Sequence, residues 1–167
     1  MNQTSNPSRL KGFTLIELMV VVALMGIMAA MAAPSFNTFL IRQRIKDVNS
    51  ELVSHLTLAR SEAIKRNSDV TIGSVSTSAN WSTGWTVSAD ESGSAVTLAQ
   101  RAPLNNLILS SGSSGPSTIV FNRSGRPESL AANLSFQITD ASAGSTVTGR
   151  CVTIGLTGAA SSKDGNC

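Results

Sequence analysis

One histidine, two cysteines and few charged side chains are what this sequence of 167 residues offers to site chemistry. His55 stands alone, so a Ser-His-Asp arrangement or a histidine-rich metal site has at most one member to recruit. Cys151 and Cys167 have no histidine near them in sequence and fall short of a zinc ligand set. No glycine-rich stretch carries P-loop or dinucleotide-binding spacing. The adjacent carboxylates Asp90 and Glu91 read as a solvated turn. The expectation is a protein that is not an enzyme and that uses no metal or cofactor.

Charge is scarce as well. Charged residues make up 14% of the chain, where about 25% is usual for a soluble protein. Two of the cations, Arg9 and Lys11, stand ahead of a long apolar run; without them the basic and acidic counts are nearly equal. That balance lacks the clustered excess expected of a general polyanion-binding domain.

What is present is an apolar segment, Phe13 to Ala33, with a single charge at Glu17. As a helix it spans about 30 Å, the thickness of a bilayer's hydrocarbon core. Arg9 and Lys11 before it keep that end cytoplasmic by the positive-inside rule, which puts the remainder in the periplasm. The alternative is an ordinary signal peptide that is removed, with Ala30, Ala32 and Ala33 as the small residues of its cleavage site. Glu17 makes the segment unusual, because a carboxylate there costs about 2.5–3.5 kcal/mol on insertion scales. It needs a partner, and the nearest candidate is the α-amino group created if the chain is cut before Phe13.

Beyond Pro34 the helical pattern continues. Phe36, Leu40, Ile45, Val48, Leu52, Leu56, Ala59 and Ala63 recur at steps of three to five residues, and charged residues mostly take other faces. The pattern predicts one helix from Thr14 to Arg66, bent near Ala30–Pro34 by the proline and stopped by Asn67 and Ser68. His55 falls on it as an exposed or partly packed residue. Then come short runs rich in Val, Thr and Ile: Asp69–Ser76, Gly84–Ala89, Ala95–Gln100, Leu107–Ser110, Thr118–Phe121, Leu134–Thr139 and Cys151–Leu156. They predict six or seven antiparallel strands. The fold class is α+β, a long N-terminal helix, transmembrane then amphipathic, packed on an antiparallel β-sheet domain. Trp85 heads an apolar-alternating strand and is expected in the core, whereas Trp81 is balanced between packing and an exposed contact surface. Close spacing at the end of an exported chain favours a disulfide between Cys151 and Cys167.

The run Lys11-Gly12-Phe13-Thr14-Leu15-Ile16-Glu17-Leu18 resembles the class III signal of type IV pilins and type II secretion pseudopilins. The resemblance implies cleavage between Gly12 and Phe13 by prepilin peptidase, N-methylation of Phe13, and an assembly role for Glu17, which meets the N-terminal amine of a neighbouring subunit. Pro34 matches a helix-bending proline of these proteins. The implied organisation is a leader at 1–12, a transmembrane and filament-core helix at 13–34, and a periplasmic pilin domain at 35–167. Ala59–Asn67 (ARSEAIKRN), Trp81-x-x-Gly84-Trp85, Phe121-x-x-x-Gly125, Arg150–Ile154 and Gly165-Asn166-Cys167 are similar to the GspH/FimT branch. That branch implies a minor pilin that primes or caps filament assembly in pilus biogenesis and twitching motility. Its implied partners are other major and minor pilins, the inner-membrane assembly platform and the inner membrane itself. The alternatives are a minor pseudopilin of type II secretion and a DNA-binding pilin for natural transformation. Some FimT-like pilins bind DNA through a basic GRxR-type motif, but the corresponding Gly158-Ala159-Ala160-Ser161 has neither arginine. Arg123, Arg126, Arg150 and Lys163 remain as candidate phosphate contacts.

Overall fold

One glycine and one proline interrupt the 52 residues Leu15–Arg66, and the rest are mainly good helix formers. They form α1. The computed structural model describes residues 12–76, 80–91, 93–112, 115–128 and 130–167, and the side chains of residues 31–34 lie outside that description. The bend expected near Ala30–Pro34 falls there, outside the described residues. The C-terminus of α1 is where the sequence placed it. Asn67 adopts a left-handed backbone (φ 51°), Asn67 N–H donates to Ile64 O and Ser68 N–H to Ala63 O, both at 3.3 Å. These two bonds make a Schellman stop, with Asn in place of the commoner glycine.

The chain divides into two compact units, residues 1–38 and 39–167. In the second, the helix buries Ile45, Val48, Leu52, Leu56, Ala59 and Ala63 in the core. Leu40 was expected on the same stripe, yet it is exposed, whereas its neighbour Ile41 is packed against the core. Periodicity reports a face of a helix and not how far along it the covering structure reaches.

Eight strands occur among the described residues, where six or seven were expected in a single sheet domain. They are β1 (Val70–Ser74), β2 (Trp85–Glu91), β3 (Ser94–Arg101), β4 (Leu107–Ser110), β5 (Thr118–Phe121), β6 (Leu134–Asp140), β7 (Arg150–Ile154) and β8 (Ala160–Asp164). They form two four-stranded sheets, β3-β2-β1-β5 and β4-β6-β7-β8, with every pairing antiparallel. Alternate residues of β2 and β6 enter the core, as a one-sided sheet requires. The unforeseen strand is β8, whose residues ASSKD alternate no apolar side chains; its backbone pairs with β7 from Arg150↔Asp164 to Ile154↔Ala160. Asp90 and Glu91 also depart from expectation. They are the exposed end of β2, paired with Ala95 and Ser94, rather than a turn. Asp90 Oδ1 accepts Gly93 N–H at 2.8 Å and so closes the β2–β3 hairpin.

Trp81 and Trp85 are both fully buried. Trp81 opens a short 3-10 helix, Trp81–Thr83, and meets Phe136 edge-on with ring centroids 4.9 Å apart. Its indole N–H donates to Pro116 O at 3.0 Å. Between the two tryptophans Gly84 has φ 92° and ψ 173°, a backbone region essentially restricted to glycine. A Cβ there would stand 2.3 Å from Arg101 O, so the Trp-x-x-Gly-Trp pattern has a steric cause.

Candidate functional site

The N-terminal segment is built from residues that water does not accommodate. From Phe13, which is 86% exposed, to Met28, large apolar side chains stand exposed on all sides of the helix. At about 1.5–3 kcal/mol for each side chain removed from water, burying twelve of them gains on the order of 20 kcal/mol. Such a surface demands a lipid or protein environment. No single helix among the described residues is long and apolar enough to cross a membrane, but Leu15–Ala30 and Ser35–Arg66 taken together pass that test.

Glu17 sits in the first turn of α1. Thr14 N–H donates to Glu17 Oε2 at 2.9 Å, and Thr14 Oγ1 donates to the same oxygen at 3.0 Å. The 3.3 Å pair Glu17 N–Thr14 Oγ1 completes the exchange. Thr14-Leu15-Ile16-Glu17 is a capping box, in which two otherwise orphaned helix N–H groups are satisfied reciprocally. The positive end of the helix dipole favours a carboxylate at the same place. Thr14 is the residue that the sequence reading missed, although its Thr-x-x-Glu spacing was available as a signal. Gly12 and Phe13 precede the helix as exposed, irregular backbone.

At the far end of the chain, Cys151 and Cys167 form a disulfide with Cα atoms 5.2 Å apart. Cys151 is buried at the start of β7, so the bond fastens the chain end to the second sheet. The four cations considered for phosphate contact fall into two groups. Arg150, on β7, is paired with Asp164 of β8 at 2.6 Å, and Lys163 lies opposite Cys151. Arg123 and Arg126 belong instead to the turn after β5, and Arg126 Nε donates to Leu156 O at 3.5 Å, beyond the other end of β7. Arg150 to Ile154 alone covers about 13 Å of strand. The structure does not bring the four together.

His55 is half-buried on α1, and its Nδ1 accepts the indole N–H of Trp85 at 2.9 Å. It is thereby a structural link between α1 and β2. Nearby, Arg101 of β3 is ion-paired with Glu51 of α1.

Comparison with known proteins agrees with this arrangement. The family described as "Type II transport protein GspH" matches residues 49–158, and the "Prokaryotic N-terminal methylation motif" matches residues 7–33. A type IV major fimbrial protein FimA of Dichelobacter nodosus is 38% identical over 97 residues, covering 58% of this chain and 56% of its own length. A fimbrial protein of Pseudomonas aeruginosa is 38% identical over 78 residues, covering 47% of this chain and 50% of its own. The chain thus spans about half the length of these curated relatives. The fold is shared with the type IV minor pilin FimU of Pseudomonas aeruginosa, at a TM-score of 0.61 and 23% identity, over 75% of this chain and 92% of that one. With an N-terminal methylation motif, a pilin fold and a family match over about two thirds of its length, the chain belongs to the GspH family of type IV pilin-like proteins.

Proposed function

We propose that this chain is a minor pilin that joins, primes or caps a type IV pilus. The observation that carries the reading is the N-terminal segment: apolar on all sides, exposed, and bearing one carboxylate seated in its first helical turn. In this reading residues 1–12 are a leader cut by prepilin peptidase between Gly12 and Phe13, and Phe13 is then N-methylated. Residues 13–34 anchor the subunit in the inner membrane with the N-terminus cytoplasmic, and residues 35–167 form the periplasmic domain. On extraction by the assembly platform, the apolar helix exchanges lipid for the helices of other pilins. Glu17 attracts the amine of a neighbouring subunit where low dielectric makes opposite charges count most.

Mass spectrometry of the mature N-terminus together with filament incorporation of Glu17→Ala tests the reading. The mature chain is expected to begin at methylated Phe13, and the variant to be inserted and cleaved yet absent from sheared filaments. A mature chain with another first residue, or normal incorporation of the variant, overturns it. A second reading, a minor pseudopilin of type II secretion, is favoured by the description of the matched family. Deleting the gene separates the two: loss of pili and twitching supports the first reading, loss of protein export the second. The split of the four cations, with Arg150 engaged by Asp164, leaves DNA binding as the less supported alternative.

A further inference from the structure

Within residues 39–167, the first turns of α1 carry Phe39, Arg42 and Lys46, spaced three and four residues apart and so on one face of the helix. All three are exposed. Neither cation takes part in an ion pair among the described residues. The second sheet closes on the helix just beyond them. Ser162 Oγ of β8 donates to Asn49 Oδ1 of α1 at 2.8 Å, and Asn49 is buried. Arg150 of β7 and Asp164 of β8 are thereby held beside the helix. Arg42, Ile45 and Lys46 border one cavity of about 380 Å³ together with Thr148, Arg150 and Asp164.

Three cations against one carboxylate leave that cavity with an excess of positive charge. Arg150 Nε and Nη2 both reach Asp164 Oδ1 at 2.6 Å, which engages one side of a guanidinium that has five N–H groups. Thr148 adds a hydroxyl, and an anion reaches exposed Arg42 and Lys46 directly from outside. Chain connectivity narrows the class of anion. Arg42 follows Ala33, the end of the bilayer-length apolar run, by nine residues, about 13 Å of chain at helical rise. Helical side chains lean towards the N-terminal end of their helix, and Arg and Lys carry their charge on a long apolar stem. Phe39 and Leu40, both exposed, immediately precede the cations. Aromatic and aliphatic side chains beside Arg and Lys are what hold a helix at the boundary between acyl chains and headgroups. A basic pocket next to a membrane segment suits a lipid phosphate. Three cations around one cavity are too few for a nucleic-acid track.

We propose that this cavity binds the headgroup phosphate of an anionic phospholipid, with Arg42, Lys46 and Arg150 on the phosphate and Phe39 against the acyl chains. The inference rests on the reading of Phe13–Ala33 as a membrane anchor and adds the class of lipid that residues 39–167 select. Its test uses the full chain in dodecyl maltoside micelles doped with equal amounts of phosphatidylglycerol and phosphatidylcholine, read by native mass spectrometry. Phosphatidylglycerol is expected to be retained at least about tenfold better, and the preference to fall to near parity in Arg42→Gln/Lys46→Gln. It is expected to persist in Arg42→Lys/Lys46→Arg and in Arg44→Gln, whose side chain borders a different groove. Asp164→Asn removes the competing carboxylate and is expected to raise phosphatidylglycerol retention, a gain that unfolding cannot produce. That variant carries the test if the double Gln variant lowers the melting temperature, and no gain in it then overturns the proposal. Equal retention of the two lipids by wild type, or an undiminished preference in the double Gln variant, also overturns it. Displacement of the lipid by excess inorganic phosphate does so too and makes the cavity a soluble-anion site. The anchor is scored apart, by flotation of the chain with pure phosphatidylcholine vesicles. Failure to float sinks the anchor and this proposal with it, whereas flotation without a preference for phosphatidylglycerol in micelles sinks this proposal alone.

Discussion

The bond between Trp85 and His55 gives a prediction whose size follows from the structure. Trp85 has no solvent exposure, so its indole N–H depends wholly on His55 Nδ1, 2.9 Å away. Replacing His55 by Phe keeps a ring in the 76° edge-on contact but removes the acceptor. A buried donor left without a partner costs about 1–3 kcal/mol. In a Trp85→Phe background the same His55 substitution strands nothing, because the donor is gone and the half-buried imidazole can turn to water. The double-mutant cycle should therefore show a coupling of about 1–3 kcal/mol. For a unit the size of residues 39–167 that is about 4 °C in melting temperature per kcal/mol. The assay is thermal unfolding of the full chain in detergent, followed by near-ultraviolet circular dichroism for wild type, both single variants and the double. A coupling below about 0.5 kcal/mol would mean that the indole finds another acceptor or reaches water when His55 is lost, and that α1 and β2 are joined by packing alone.

Removing the disulfide by Cys151→Ala/Cys167→Ala should cost about 3 kcal/mol, the loop-closure value for a sequence separation of 16. Dithiothreitol should lower the wild-type melting temperature towards that of the variant and leave the variant unmoved; a loss under about 1 kcal/mol contradicts the expectation. A pH prediction comes from Glu62, whose hydrogen bonds from Arg66, and then from Lys65, hold its carboxyl below the ordinary 4.5. A lowered carboxyl contributes stability that is complete above pH 4.5 and drains as pH falls through the folded-state value. Glu62→Gln should therefore show a smaller fall in melting temperature than wild type between pH 7 and the acid range, and an unchanged fall counts against the pairing.

How much of this was legible beforehand differed from element to element. The helix and its end were readable because its signals are local: apolar residues at steps of three to five, then Asn67 and Ser68 as a stop. Most strands were readable from β-branched runs bounded by turn residues. Strand β8 was not, since ASSKD carries no alternation; what holds it is the backbone ladder to β7 and the disulfide just beyond it. The division into two sheets was not readable either, because side-chain period identifies a strand and not its neighbour. Trp81 was undecided because its sequence neighbours Asn80 and Ser82 are polar. Its burial comes from Phe136 and Pro116, both distant in the chain. The close approach of the Arg60 stem to Gly125 was not readable either, since nothing local in the sequence reveals it.

The capping box bears on how a charged residue can reside in the apolar segment at all. An isolated carboxylate in that setting is expensive, and the proposed amine partner arrives only with a neighbouring subunit. Until then Glu17 holds two hydrogen bonds from Thr14 and the favourable end of the helix dipole, all within its own first turn. The charge is partly solvated by its own helix before assembly. In the proposed assembly the neighbour's amine would then not rescue a bare ion; it would compete with, or add to, an existing hydrogen-bonded seat. Thr14 and Glu17 are on this account one unit, with Thr14 setting the orientation in which the carboxylate waits. That is why the spacing of the two residues, and not the presence of a carboxylate alone, matters to the proposed assembly step.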